Sequence, residues 1–216
     1  MLEIEINMRK LITFFATLIL LISITKNQSK AQISMGFSGL AGFPKGFIEK
    51  EITDIYGVGF HIKYHYKETF SFGINSGYLK FSGKPNTANA SGILSNFSYN
   101  IIPITAGGEL HFNNGKINPF ASFSFGIYNV NAKASMSYNG NQLNIDVPLG
   151  TKIGYDIGGG LTYSASKRYI IFISGKYNNI IFDSNILMEW ISIKAGIFIN
   201  IEKRPTKSKY QPRKTY

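Results

Sequence analysis

Apolar and polar side chains alternate along most of this chain, and this alternation constrains the fold more than any other feature. Successive side chains of a β-strand point to opposite faces, so a period of two predicts a strand with one apolar face. The clearest case sets Tyr56, Val58, Phe60, Ile62, Tyr64 and Tyr66 against Gly57, Gly59, His61, Lys63, His65 and Lys67. No helical apolar stripe of useful length follows Ile33. The chain is therefore predicted to be all-β.

The alternation recurs often enough to predict eight strands. The apolar face returns at 102–112, 153–163 and 191–201, each time opposite small or polar residues. The predicted strands lie at about 33–40, 54–67, 69–82, 97–112, 118–133, 151–164, 168–181 and 188–202.

A soluble β-sandwich shows the same alternation, so two further features are needed to place the strands in a membrane. The polar face carries charged residues in mid-strand: Lys63, Glu109, Asp156, Lys176 and Lys194. The connections also alternate in length, with long ones at 41–53, 83–96, 134–150 and 182–187 and short ones around Glu68, 113–117 and 165–167. Short turns on one rim and long loops on the other are typical of bacterial outer-membrane barrels. The sequence thus predicts an eight-stranded antiparallel transmembrane β-barrel with its long loops outside the cell and both termini in the periplasm.

Two prolines bear on the strand ends. Proline cannot donate to a β-ladder, so Pro103 is expected at a bulge or where the fourth strand enters the membrane. Pro119 is expected at the start of the fifth strand.

Residues 1–32 are predicted to be a signal peptide, because Met8-Arg9-Lys10 precedes an apolar run from Leu11 to Ile24 and a cleavable end at Lys30-Ala31-Gln32. The run is shorter than the roughly 17–25 residues of a membrane-spanning helix. Glu3 and Glu5 fit a leader poorly, so translation is expected to start at Met8. The barrel is then predicted to occupy 33–202, followed by a basic, disordered periplasmic tail at 203–216.

The net charge of +11 lies mostly at the two ends of the chain. Six basic residues lie in 203–216, and four basic and two acidic residues lie in 1–32, which leaves thirteen basic and ten acidic residues between them. This distribution argues against a nucleic-acid partner. The tail is either simply solvated or binds an anionic periplasmic partner or lipid headgroups. The absence of cysteine excludes disulfides and a lipoprotein anchor.

Three short motifs carry a resemblance to a known family: Asn100 to Ile104, Ile117 to Ser122, and Trp190 to Ile197. With them, residues 33–202 resemble the outer-membrane β-barrel domain family common in Bacteroidetes, which includes PorT-like and OmpW/OmpX-like small barrels. The resemblance implies location in the cell outer membrane, contact with outer-membrane lipid, assembly by the barrel assembly machinery, and no shared catalytic residues. Because the tail follows the last strand, Phe198 would have to serve as the aromatic of the assembly signal from an internal position.

The inward charges are the candidate functional site: Lys63, Glu109, Asp156, Lys176 and Lys194, with Lys152 near them in the pattern. They form either a polar lumen that gates ions or binds a small solute, or a salt-bridged plug. The plug is favoured, because an eight-stranded barrel is just wide enough for side chains to fill and buried charges need partners.

Neither a metal site nor an enzyme is predicted. His61 and His65 lie four residues apart on one strand, about 13 Å, so one metal cannot readily join them. No Gly-x-Ser-x-Gly elbow or catalytic spacing occurs, and no cofactor is expected. Two functions stay open: a structural or interaction barrel that uses its extracellular loops for recognition, and a narrow channel or carrier for small or hydrophobic solutes.

Overall fold

The computed structural model describes residues 32–67, 69–84, 94–113, 115–138, 141–183 and 186–201. They form a closed barrel of eight strands in sequence order, and β1 pairs antiparallel with β8 to close it. The strands are β1 (Gln32–Lys45), β2 (Ile52–Lys67), β3 (Phe70–Gly83), β4 (Leu94–His111), β5 (Ile117–Tyr138), β6 (Asn141–Ser164), β7 (Tyr169–Asp183) and β8 (Ile186–Ile201). The predicted eight-stranded antiparallel barrel is confirmed. The proposed signal cleavage site and the basic tail lie outside the described residues, although Gln32 already belongs to β1.

The barrel has two rims. The turn rim carries the short connections near 69, 115–116 and 165–168 and the two ends of the described chain, residues 32 and 201. The loop rim carries the connections at 46–51, 84–93, 139–140 and 184–185. A short 3-10 helix, Gly46–Lys50, lies in the first of these connections.

Two of the four predicted long loops are wrong. The predicted loop 134–150 is a continuation of β5 and β6, which pair from Ala134 with Ile145 up to Tyr138 with Asn141. The predicted loop 182–187 shrinks to residues 184–185 between β7 and β8. Gly, Asn and Ser in 134–150 suggested a loop, but ladder hydrogen bonds come from the backbone and tolerate such residues where neighbouring strands supply partners.

This continuation produces a three-stranded sheet above the rest of the loop rim. The sheet extension comprises residues 94–100 of β4, 131–138 of β5 and 141–150 of β6, and at its base β3 still pairs with residues 98–100. A β-bulge opposite Val130 and Asn131, with Gly150 at φ +78°, separates it from the barrel wall. The pairing of β6 with β7 starts only at Ile153, so within the described chain the outer edge of 141–150 has no neighbouring strand.

The outer wall of the barrel is apolar. Large hydrophobic side chains from every strand are exposed there, among them Phe37, Val58, Ile74, Ile104, Phe125, Ile157, Ile173 and Ile193. A closed apolar band of this kind is the lipid-facing surface of a transmembrane barrel. Within the described ranges, no helix has the length and apolar character needed to span a bilayer.

The interior has two layers of different polarity. Polar and charged side chains fill the half nearer the turn rim. The half nearer the loop rim is an apolar layer, in which Phe81 and Trp190 pack edge to face with ring centroids 5.2 Å apart. This layer consists of Ile48, Ile52, Ile55, Leu79, Phe81, Ile101, Tyr128, Val130, Ile180, Met188 and Trp190.

Within strands such as β4 and β8, the apolar residues change face where the two layers meet. On β4, Ile101 is buried inside, whereas Ile102 and Ile104 are exposed on the outside. On β8, Trp190 is buried and Ile191 is exposed. Towards the turn rim the apolar side chains meet lipid outside, and towards the loop rim they must leave water and turn inward. The switch therefore marks the edge of the lipid-facing band.

Pro103 lies close to this edge but not at a bulge. The registers of Ser76 with Ile104 and of Leu79 with Ile101 are the same, and the β3–β4 ladder is interrupted only between them. Pro103 thus removes ladder contacts without shifting the strand. Pro119 is the third residue of β5, near the predicted start of that strand.

Candidate functional site in the barrel interior

The first charged group of the polar layer is an ion pair between β2 and β4. Lys63 Nζ lies 2.7 Å from Glu109 Oε2, and both side chains are largely buried. The same ammonium lies 3.9 Å from the ring centre of Phe198 and 5.6 Å from those of Phe120 and Phe172. The lysine is therefore held by one carboxylate and a cage of three phenylalanine rings, which attract a cation through their π-faces.

The second charged group joins β6 and β7. Lys176 Nζ donates to Asp156 Oδ1 at 2.6 Å, and both side chains are at most 10% exposed. A buried pair of this kind is costly to break, because removal of one partner leaves an unpaired charge away from water.

Lys194 of β8 belongs to the same layer but stands apart from both pairs. Within the described chain it makes no hydrogen bond and no ion pair, although it lines the same small cavities as Asp156 and Lys176. Lys152 lies elsewhere, at the junction with the apolar layer, where its Nζ approaches the carbonyl of Phe182 at 3.5 Å. The structure thus gathers five of the six sequence-selected charges and separates Lys152 from them.

His61 contacts one polar side chain through each of its ring nitrogens. Its Nδ1 lies 2.8 Å from Asn75 Oδ1, which only accepts, so Nδ1 carries the proton. Its Nε2 lies 2.8 Å from Ser38 Oγ and shares a hydrogen bond with that hydroxyl.

His65 and His111 meet near the turn rim through a shared hydroxyl. Ser71 Oγ lies 2.8 Å from His65 Nδ1 and 3.4 Å from His111 Nε2. On its other side, His65 Nε2 lies 2.8 Å from Ser34 Oγ, which donates to Asn200 Oδ1. These side chains form a hydrogen-bonded chain, and no group of three potential metal ligands occurs among the described residues.

Side chains leave little free space inside the barrel. Two interior cavities have volumes of about 40 and 20 Å³, enough for single water molecules. Above them, Phe81, Ile101 and Ile180 are 0% exposed and Trp190 is 1% exposed, so the apolar layer closes the interior towards the loop rim. Ile48 of the 3-10 helix covers this layer from the first loop.

The apolar layer and the aromatic cage were not predicted from the sequence. Both leave a signal: the phase of the apolar pattern shifts by one residue within single strands, as at Ile101–Ile102, Ile127–Tyr128 and Trp190–Ile191. Phe120, Phe172 and Phe198 likewise occupy inward positions between polar residues. A shift in the phase of the apolar pattern inside an uninterrupted strand indicates that the surroundings of the strand change there. Such a change is overlooked when each strand is assigned one apolar and one polar face along its whole length.

Comparison with known proteins bears on the fold. No family model matches the chain, and no curated protein matches it in sequence. Among solved structures, Neisserial surface protein A superposes with a TM-score of 0.51 at 14% identity, covering 77% of this chain and 96% of its own. The chain folds as a small outer-membrane β-barrel.

Two further barrels match at lower structural similarity. The outer membrane protein OprG from Pseudomonas aeruginosa has a TM-score of 0.48 at 10% identity, and the match covers 81% of this chain and 98% of the OprG chain. The attachment invasion locus protein Ail of Yersinia pestis has a TM-score of 0.43 at 16% identity, and the match covers 79% of this chain and 97% of the Ail chain. At these values they add nothing to the fold assignment.

Proposed function

We propose that this barrel resides in the bacterial outer membrane and acts as a non-conducting interaction protein whose recognition surface is its loop rim. The observation that carries the proposal is the filled interior. Two buried ion pairs occupy the polar layer, and an apolar layer with nearly zero exposure closes it. Ions cannot pass a dry layer of packed aromatic and aliphatic side chains without losing their hydration.

The sheet extension at the loop rim supports a recognition role, because it is an ordered surface. Its inner face carries Leu143, Ile145 and Val147, which are 58%, 39% and 44% exposed. The neighbouring edge of β6 offers unpaired backbone groups within the described chain, and such an edge accepts an added strand from a partner. Exposed apolar residues beside an open strand edge are the features of a binding surface.

The proposal also includes the orientation of the barrel in the membrane and the family to which it belongs. Because residues 32 and 201 both lie at the turn rim, we propose that this rim faces the periplasm and that the basic tail 203–216 binds an anionic partner there. The motifs quoted above support membership of the Bacteroidetes-type barrels. Outer-membrane lipid and the barrel assembly machinery are its expected partners, and an enzymatic role is not proposed.

Single-channel recording in planar bilayers tests the proposal against the alternative of a narrow channel. We expect no discrete conductance steps from the purified barrel at any applied voltage that the bilayer tolerates. A matched variant, Trp190→Ala, removes the largest side chain of the apolar layer and controls for insertion, since it should admit water and leak. Regular steps from the unaltered protein would instead support the channel.

A further inference from the structure

The side chains that line the two cavities of the polar layer carry one more positive charge than negative charge. The two cavities of the polar layer are lined by three lysines, Lys63, Lys176 and Lys194, and by two carboxylates, Glu109 and Asp156. The two carboxylates are engaged by Lys63 and Lys176 at 2.7 and 2.6 Å. Lys194 is left without an ion pair within the described chain.

The neutral groups around these cavities do not supply the missing charge. His61, which contacts Asn75 and Ser38, carries no negative charge in either protonation state of an imidazole. An unpaired ammonium in a largely dehydrated interior is costly unless an anion compensates it.

The smaller cavity has the size and lining of a site for a small anion. Its volume of about 20 Å³ exceeds the roughly 10–15 Å³ that one water molecule needs, so the cavity has room for one monatomic ligand but not for a large polyatomic one. All three lysines line it, together with Glu109 and the hydroxyl of Ser174. The rings of Phe120, Phe172 and Phe198 form the remaining wall, and the Lys63 ammonium lies over their faces, so the lysines alone would hold an anion there.

We propose that this cavity binds a small monovalent anion, chloride in the cell, and that Lys194 is its principal partner. The anion balances the third lysine and completes the neutral packing of the polar layer. Binding of this kind stabilises the folded barrel in proportion to anion concentration, because the unfolded chain has no such site. The inference concerns the interior only and stands apart from the proposed recognition role of the loop rim.

The test compares urea unfolding of the refolded barrel in lipid vesicles with sodium chloride and with sodium gluconate at equal ionic strength. We expect the unfolding midpoint to rise with chloride and to saturate, whereas gluconate, which is too large for the cavity, gives no such rise. In Lys194→Met the difference between the two salts should disappear. In Lys133→Met, a matched change at a 53% exposed lysine of the sheet extension, it should persist.

Two further measurements keep the proposal testable if Lys194→Met does not fold. Glu109→Gln removes the one carboxylate at the cavity and should lower the chloride concentration needed for half of the stabilisation. Crystals of the unaltered barrel grown in bromide should show an anomalous peak between the three lysines. Equal midpoints in the two salts, a salt difference that survives Lys194→Met, or bromide-grown crystals without that peak would overturn the proposal.

Discussion

Asp156 and Ile157 are neighbours on β6 but face opposite surroundings. Asp156 is 3% exposed and receives the hydrogen bond from Lys176, whereas Ile157 is 54% exposed on the lipid-facing wall. The contrast follows from the period of two, since one step along a strand turns a side chain to the other face. Single substitutions at the two positions therefore test which face is which.

We expect both Ile157→Lys and Asp156→Asn to destabilise the barrel, for different reasons. A lysine at position 157 would enter the hydrocarbon near mid-strand, at a cost of about 2–4 kcal/mol. Asp156→Asn leaves the buried Lys176 without its charged partner, and loss of one member of a buried pair costs about 3–5 kcal/mol. Urea unfolding in vesicles measures both.

A second change separates these causes. Lys176→Met should recover much of the loss in Asp156→Asn, because the unpaired charge is then removed, but should not rescue Ile157→Lys. Tolerance of Ile157→Lys together with failure of this rescue would reverse the assignment of inside and outside.

Gly158 illustrates how tightly the strands of this narrow barrel approach one another. A Cβ added there would overlap the carbonyl oxygen of Gly175 on β7, whereas a Cβ at the exposed Gly39 meets nothing within 4 Å. We expect Gly158→Ala to lower the free energy of unfolding by about 1–3 kcal/mol through backbone displacement. Gly39→Ala is the matched control and should be neutral or slightly stabilising. Equal effects in urea unfolding would mean that the close approach is not needed.

At the scale of elements, β5 and β6 differ from the other strands because they continue past the lipid-facing band. Their ladder is strengthened at the surface by an ion pair between Lys133 and Asp146, 3.3 Å apart, but both side chains are more than half exposed, so the pair contributes little. What holds the extension is its pairing with β4 and the packing of Phe97 and Tyr99 against the apolar layer. The extension is thus part of the folded sheet.

The absence of cysteine in the chain allows a direct test of which rim faces the outside. Lys133→Cys lies in the sheet extension, and Lys167→Cys lies at an exposed position of the turn rim. On intact cells, a maleimide that cannot cross membranes should label the first variant and not the second. Both should react once the outer membrane is opened. The reverse pattern on intact cells would invert the proposed topology and move the tail out of the periplasm.

At the scale of the whole molecule, closure is the property with the largest consequence. The pairing of β1 with β8 over Ile33 to Lys45 leaves the barrel wall without a free edge, so its backbone groups are satisfied inside the bilayer. Such a barrel resists detergent until it is heated.

We expect the folded protein to migrate differently on a gel before and after boiling. Gly36→Asp, which places a charge against Phe198 at the β1–β8 seam, should lose this difference. Identical mobility of the unaltered protein with and without boiling would argue against a closed barrel.

The sequence by itself determined the strands, their number and the side that each mid-strand residue faces, because these follow from a period of two read over short stretches. It also selected Lys63, Glu109, Asp156, Lys176 and Lys194 as inward charges. The pairs among them could not be derived, since each joins different strands whose register is set by closure of the whole barrel. Register likewise decided that 134–150 is sheet and not loop. The apolar layer depended on both the sequence pattern and the tertiary structure. Its members come from six strands and the 3-10 helix and meet only when the barrel closes around them.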